Sequence, residues 1–335
     1  MGRVGVGVVG LGNQGLLHVE AVKQLPEAEL VAVADVDVGR ARSVAEAYGV
    51  GRYYGSAREL CEDAGVDAVI VATPDHLHYE PVMAALRAGK HVMVEKPMAT
   101  RLSEAAAMAE EARRRGVILT VNFENRFNPP FAHVRELLER GVLGDPIHAY
   151  IRLSDTVYVP RRMLSWARET SVIFFLMSHT ADLARWYFGE PVREVYAASA
   201  SRLLRDLGVP DACAAVLRFE SGFALLESSW VLPEASPSIF DFKLELVCTK
   251  GVARVDTERE SIEVVDATGL RYPHLAKHAR VHGLVAGFLR EAVRHFIACV
   301  QGRAEPVVSA EDGVENVKIL EAIARSCSEG RPVAP

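Results

Sequence analysis

The sequence predicts an α/β chain of two domains, a doubly wound parallel sheet followed by a domain of successive strands closed by helices. Three observations carry this. Apolar, β-branched runs alternate with helical patterns over the first third, a glycine-rich turn joins the first run to the first helix, and strand-like runs follow one another after residue 145. A length of 335 residues suits two domains.

The first run, "RVGVGVV", leads into Gly10, Gly12 and Gly15 with the spacing GxGxxG, then a helical pattern carried by Leu16, Val19, Ala21, Val22 and Leu25. In that context Gly10 permits the tight turn and Gly12 lets backbone approach a pyrophosphate. Gly15 allows helix and strand to pack closely, and Asn13 and Gln14 open the positive helix end. The next strand, "ELVAVADVD", carries Asp35 twenty residues after Gly15. An acid there accepts hydrogen bonds from ribose hydroxyls and repels a 2′-phosphate, which favours NAD over NADP, while Arg40 close by is the kind of residue that accommodates that phosphate.

The alternation continues through helix "GRARSVAEAYG", a short strand near "RYYG", helix "SARELCEDAG" and strand "VDAVIVAT". Helix "HYEPVMAALRAG", strand "KHVMVEK", helix "SEAAAMAEEARRRG" and strand "VILTVNF" complete a Rossmann-type domain over residues 1–122. Strands without polar alternation indicate a sheet covered on both faces. Residues 123–335 form the second domain, with strand-like "IHAYIRLSD", "VREVYAASA", "CAAVLRF", "GFALLESSW", "KLELVCT", "GVARVD" and "SIEVVD". Helices over about 284–301 and 311–328 close the chain.

Composition bounds the function. The chain is 50% hydrophobic and 24% charged, as in a soluble globular protein. A net charge of −6 argues against a nucleic-acid binder with a general basic field and against a polybasic membrane anchor. The five cysteines (Cys61, Cys213, Cys248, Cys299, Cys327) are scattered and never spaced CxxC, which reads as small hydrophobes in a reducing compartment and gives no metal site. The opening "MGRVGVGVVGLG" reads as a first strand and not a signal peptide, and Val6 breaks the myristoylation pattern. No apolar run approaches the ~18 residues of a membrane span. The expectation is a cytoplasmic protein.

Ligands of a doubly wound sheet lie beyond the carboxyl ends of its strands. Two stretches fall there: "ATPDHLH", with Thr73, Pro74, His76 and His78, and "EKP", with Glu95 and Lys96. Pro97 stiffens the backbone at Lys96, and alternation along the strand sends Glu95 and Lys96 to opposite sides.

These stretches give the chain a resemblance to the Gfo/Idh/MocA oxidoreductases. It is carried by "GLGNQG", "VAVADVDVGRA", "TPDHLHYEPVMAALRAGKHVMVEKPMA", "NRFNP", "GVLGDP", "SHTADLARWYFG" and "EGRPV", which span nearly the whole chain. The resemblance implies a second domain built on an open, mostly antiparallel sheet flanked by helices. That sheet's outer face often forms the contact of a homodimer or homotetramer. It also implies a nicotinamide cofactor, a sugar, cyclitol or other polyol substrate, and no nucleic-acid or membrane partner. Carried over, Lys96 becomes the catalytic or nicotinamide-positioning residue and His179 the partner at the substrate hydroxyl. Arg126 and Asp182 would line the substrate pocket. Trp166 is a candidate to stack on a sugar ring, as is Tyr158, and each could equally be a packing group. Arg161 and Arg162 read as a solvated pair, with an anionic substrate as the other use.

The chemistry needs such groups. A hydride leaves a carbinol carbon while a base takes the hydroxyl proton, and burial beside positive charge can lower a lysine amine enough to serve. A histidine titrates near neutrality and can relay the proton. One position departs from the pattern. Many dehydrogenases that this chain resembles carry Asp four residues before the histidine, and here it is Phe175. Either Lys96 and His179 suffice and Phe175 forms an apolar wall, or the protein binds the cofactor without oxidising alcohols. The second case would make it a nucleotide-binding sensor or regulator, or an isomerase or glycosidase that retains its NAD.

Overall fold

The computed structural model describes residues 2–258, 262–266 and 269–335. It divides into two compact units: Met1–Phe127 with Lys277–Glu315, and Asn128–Ala276 with Asn316–Pro335.

In the first unit the chain runs β1 (Val4–Val9), α1 (Asn13–Lys23), β2 (Ala28–Ala34), α2 (Val38–Tyr48), β3 (Arg52–Tyr54) and α3 (Ala57–Glu62). It continues with β4 (Ala68–Val71), α4 (Tyr79–Arg87), β5 (His91–Val94), α5 (Leu102–Arg115) and β6 (Leu119–Val121). The six strands are parallel in the order β3-β2-β1-β4-β5-β6, the doubly wound arrangement the alternation predicts. All residues of β1 and β4 are buried, which is why neither strand shows a polar alternation. The helices start where local chemistry allows. Asp37 and Ser56 cap α2 and α3 by accepting the Arg40 and Glu59 backbone N–H groups.

The second unit holds α6 (Pro129–Glu139), β7 (Pro146–Thr156), α7 (Val172–Phe175), α8 (Met177–Phe188), β8 (Glu194–Ala200) and β9 (Ala212–Arg218). It adds β10 (Phe223–Leu232), β11 (Phe240–Cys248) and β12 (Val252–Asp256). These form a six-stranded sheet in the order β12-β11-β7-β10-β9-β8. Only β7 and β10 run parallel, so the sheet is mostly antiparallel. Its strands alternate buried and exposed residues, and α8 packs on β7 and β10. The strand expected over "SIEVVD" is Val264–Asp266, paired with Gly269–Arg271, and Ser261 lies outside the described residues.

A single cut at 122/123 does not describe this division, because Lys277–Glu315 returns to the first unit. The reason is packing. Helix α9 (Phe288–Val300) places Val293, Phe296 and Ile297 in one apolar cluster with Val6 and Val8 of β1 and Val19 of α1. The closing helix expected from about 284 begins only at Phe288. Leu284–Ala286 pairs instead with Ala279–Val281 across a turn at His282 and Gly283, both at positive φ. The last helix, α10 (Ala310–Glu329), matches its expected span to within a residue, and the chain passes from one unit to the other within it. Among the described residues, no helix is long and apolar enough to cross a membrane.

Candidate active site

The glycine turn is built as its spacing requires. Gly10 sits at φ +86°, and a Cβ there would come within 2.7 Å of the Ala72 backbone. A Cβ on Gly15 would lie 1.9 Å from the Gly10 carbonyl oxygen. Gly12 differs: a Cβ on it meets nothing within 4 Å. The open space therefore lies at Gly12, at the N-terminus of α1, which no side chain caps. Unsatisfied N–H groups beside room for a ligand suit a pyrophosphate, so the residues present fit a dinucleotide.

Asp35 closes this cradle at the end of β2. It is buried, and its two oxygens accept the Leu11 N–H at 2.8 Å and the Asp37 N–H at 2.9 Å. Arg40 approaches it, Nη1 lying 3.6 Å from Asp35 Oδ2, and leans also on Asp37 at 3.8 Å.

The "TPDHLH" and "EKP" stretches are tied together by a residue that first looks like a ligand contact. His78 is buried, with Nδ1 2.8 Å from the Pro97 carbonyl and Nε2 3.0 Å from the Thr73 carbonyl. Burial pushes its imidazole toward the neutral form against the pull of Asp75, so it can donate to only one of the two carbonyls. Its work is to hold the loop after β4 against the Lys96–Pro97 turn, whose peptide is cis. Pro74 precedes a short turn of 3-10 helix over Asp75–Leu77, and His76 Nδ1 stands 3.6 Å from Asp75 Oδ1.

Glu95 is buried and Lys96 half-buried just beyond the end of β5. Glu95 points into a buried polar cluster, where Oε1 faces His18 Nε2 at 2.7 Å, Asn122 Nδ2 at 2.8 Å and Gln14 Nε2 at 2.9 Å. Burial raises this carboxyl, but the His18 hydrogen bond and charge, the Lys277 charge and the Asn122 amide outweigh it and hold it well below the usual range. Glu95 and Gln14, both expected at the cofactor, are thus hydrogen-bonded to each other.

Lys96 is half-buried. Loss of water drives its amine pKa down, with the nearby charge of Lys277 adding to the effect and Glu95, Glu124 and Asp75 opposing it. Lys277 donates to Glu124 Oε1 at 2.6 Å, and the other oxygen of Glu124 is buried without a hydrogen-bond partner. Around the "EKP" turn stands a set that sequence reasoning missed: His18 and Asn122 on Glu95, and Glu124 and Lys277 acting on Lys96. His18 had one signal, its place three residues after Gly15 on the inward face of α1. Glu124 had another, since it follows β6 as Lys96 follows β5. Lys277 gave none, being 153 positions from its partner.

Arg126 is also in the first unit, buried, with Nη1 2.9 Å from the Val307 carbonyl and 3.3 Å from Asp312 Oδ2. These contacts tie the turn after β6 to the segment entering α10 and to its first turn.

In the second unit His179 and Asp182 lie on α8, both buried. Asn316 of α10 donates to the Ser178 carbonyl at 2.9 Å and so fixes the turn that carries His179. Phe175 ends α7, half-buried, with its ring centroid 6.0 Å from that of Trp166 and 5.6 Å from that of Trp230. Trp166 is thus part of an aromatic cluster. Arg161 is ion-paired with Asp206, and Arg162 stands 3.5 Å from Glu234. These two surface arginines are neutralised within the chain. Tyr158 is exposed. Among the described residues, the carboxylates close enough together to hold a metal are Asp241, Asp256 and Glu258, and Lys243 sits within 3.6 Å of all three.

Residues 4–123 match the oxidoreductase family with an NAD-binding Rossmann fold, and residues 131–254 match the Gfo/Idh/MocA C-terminal domain. The chain is 32% identical to a myo-inositol 2-dehydrogenase of Thermotoga maritima over 98% of its own length and 97% of the relative's. It is 30% identical to a scyllo-inositol 2-dehydrogenase (NAD(+)) of Bacillus subtilis, over 99% of this chain and 96% of that one. Among solved structures, a probable dehydrogenase from Thermotoga maritima superposes with a TM-score of 0.85 at 30% identity, covering 99% of this chain and 98% of that one. With the cradle, the "EKP" turn and both domains in place, the chain belongs to the Gfo/Idh/MocA family of NAD-binding oxidoreductases.

Proposed function

We propose that the protein is an NAD-dependent dehydrogenase acting on a secondary alcohol of a cyclitol, sugar or sugar derivative, with Lys96 and His179 handling the proton. The observation that carries this is Lys96. It stands at the carboxyl end of β5, on the same sheet edge as the glycine cradle, with its amine lowered by burial and by Lys277. When bound, nicotinamide supplies the hydride acceptor. Lys96, in its neutral form, takes the hydroxyl proton as the carbon loses hydride, and His179 relays it. Asp182 positions the substrate hydroxyls. The named relatives act on inositols, which supports a polyol substrate for this chain.

NAD is the preferred cofactor in this reading, because Asp35 is held by two backbone N–H groups where a 2′-phosphate would lie. Titrating NADH and NADPH by fluorescence checks it, and equal or reversed affinities would remove the claim. The assembly is a homodimer or homotetramer through the sheet of the second unit. Tyr196, Phe223, Leu225 and Val252 stand exposed on the face opposite that sheet's core.

A second reading rests on Phe175, which leaves His179 without the acid expected one helical turn before it. In that case the protein binds nucleotide as a signal, or retains it in an isomerase or glycosidase. A screen of cyclitols, aldoses and amino sugars with NAD, followed by absorbance of the reduced cofactor, separates the readings. Turnover of any of them supports the dehydrogenase. Silence, with tight nucleotide binding and a ligand-induced rise in Tm, supports the sensor.

A further inference from the structure

We propose that Cys213 and Cys327 are a redox modification site, a dithiol that closes to an intrachain disulfide and fastens α10 to β9. Their sulfurs lie 3.7 Å apart, although the residues are 114 positions apart in the chain. Both belong to the second unit, where Cys213 is buried on the inner side of β9 and Cys327 is half-buried near the end of α10. A disulfide bond is ~2.05 Å long, so closure takes up about 1.6 Å, within reach of side-chain rotation.

The backbone on either side is already pinned. The Ala197 N–H donates to Ser326 Oγ at 2.9 Å, one residue from Cys327, and that hydroxyl donates to the Arg331 carbonyl at 2.7 Å. Val195 and Val333 exchange backbone hydrogen bonds of 2.8 and 2.9 Å. Ser199 lies directly opposite Cys213 in the β8–β9 pair. The two thiols therefore face each other across a fixed junction of helix and sheet.

Their environments give them different roles. The Cys327 thiol is held down to about 7, chiefly by the hydrogen bond from Cys213, with Ser199 adding and burial opposing. The same hydrogen bond, together with burial, pushes the Cys213 thiol far up. Cys327 is thus the thiolate that an oxidant reaches first. With hydrogen peroxide as the oxidant, the Cys327 sulfur attacks one oxygen, the O–O bond breaks and hydroxide leaves, giving a sulfenic acid. Cys213 then loses its proton and attacks that sulfur, the S–O bond breaks, and water leaves. In total two thiols and one peroxide give one disulfide and two waters, and a dithiol reductant reverses the change.

Closure restrains a long loop in the unfolded chain and ties the C-terminal end of the helix whose Asn316 holds the Ser178 carbonyl beside His179. The test uses the full-length protein with a small excess of hydrogen peroxide. Maleimide labelling under denaturing conditions is expected to fall from five thiols to three, given five cysteines in the chain. Peptide mapping should place the link at Cys213–Cys327, and Tm should rise by roughly 5–10 °C and return with dithiothreitol. Cys213→Ser and Cys327→Ser should each abolish the link and the gain, while Cys61→Ser keeps both. Five thiols surviving peroxide, Cys327 passing to sulfinic acid with Cys213 unlinked, a link elsewhere, or an unchanged Tm would each overturn the proposal. The wild-type mapping decides the matter even if a serine variant fails to fold.

Discussion

The ring of Phe175 lies 5.6 Å from that of Trp230, tilted by 56°, in the place where an acid one turn before His179 was expected. Trp230 is fully buried, and its indole nitrogen has no hydrogen-bond partner. The position is thus part of an apolar aromatic cluster that also includes Trp166. Restoring the acid should be costly. Phe175→Asp is expected to lower stability by about 2–3 kcal/mol, since a carboxylate would enter an apolar setting and the ring's packing would be lost. Denaturant unfolding of that variant beside Phe175→Leu checks this. An Asp variant as stable as the wild type would mean that the Trp230 N–H receives the acid and that the wall is more polar than its side chains indicate.

Lys96 carries two predictions of opposite sense. Lys96→Met should lower kcat by about 10²–10⁴-fold, the usual share of a positioned base, with NAD binding retained. Stability should move the other way. The folded state lowers this amine, so below the unfolded value of ~10.4 the unfolded chain binds the proton more tightly. Folding therefore carries a cost at neutral pH that shrinks as pH rises toward that value, and Lys96→Met removes it. A higher Tm for the variant at pH 7, with the gap closing in alkaline buffer, is the expected result. A lower Tm at neutral pH would show that the amine's contacts outweigh its desolvation.

The glycine turn separates a folding role from a binding role. Gly15→Ala should destabilise by about 3 kcal/mol or more, because its Cβ would sit 1.9 Å from the Gly10 carbonyl oxygen. Gly12→Ala has open space and should fold with a change below about 1 kcal/mol. It should still weaken NAD binding at least tenfold, by filling the space a pyrophosphate would take. Thermal melts and NADH titration of both variants suffice. A Gly12→Ala protein that binds NADH normally would remove the pyrophosphate from that position.

What could be read in advance follows from how far apart the interacting residues are. The cradle, Asp35 and the parallel, doubly wound character of the first sheet were legible because periodicity and glycine spacing act over a few residues. The partners of Glu95 were not, since His18 and Asn122 reach it from other strands' loops and helices, 77 and 27 positions away. His78 had the look of a ligand residue, and only its two carbonyl neighbours show the loop tie. The return of Lys277–Glu315 to the first unit was hidden for a further reason. An amphipathic helix such as α9 states that it has a buried face but not which core receives it.

That returning segment brings the last prediction. Lys277 is paired with Glu124, and the two charges act on Lys96 in opposite directions, Lys277 lowering its amine and Glu124 raising it. Lys277→Met leaves Glu124 unopposed, so the Lys96 amine should titrate at higher pH. In the proposed mechanism the neutral form is the base, so the rising limb of kcat against pH should shift to higher pH, with activity lost at neutrality and regained in alkaline buffer. Glu124→Gln removes the acid and should move the limb to lower pH. Lys277→Arg keeps the charge and should restore the wild-type profile. A purely structural role for the pair would change Tm and leave the limb in place in all three variants, so pH profiles collected with melts discriminate cleanly. Opposite shifts from the two neutralising changes are the signature expected if Glu124 and Lys277 set the proton affinity of Lys96.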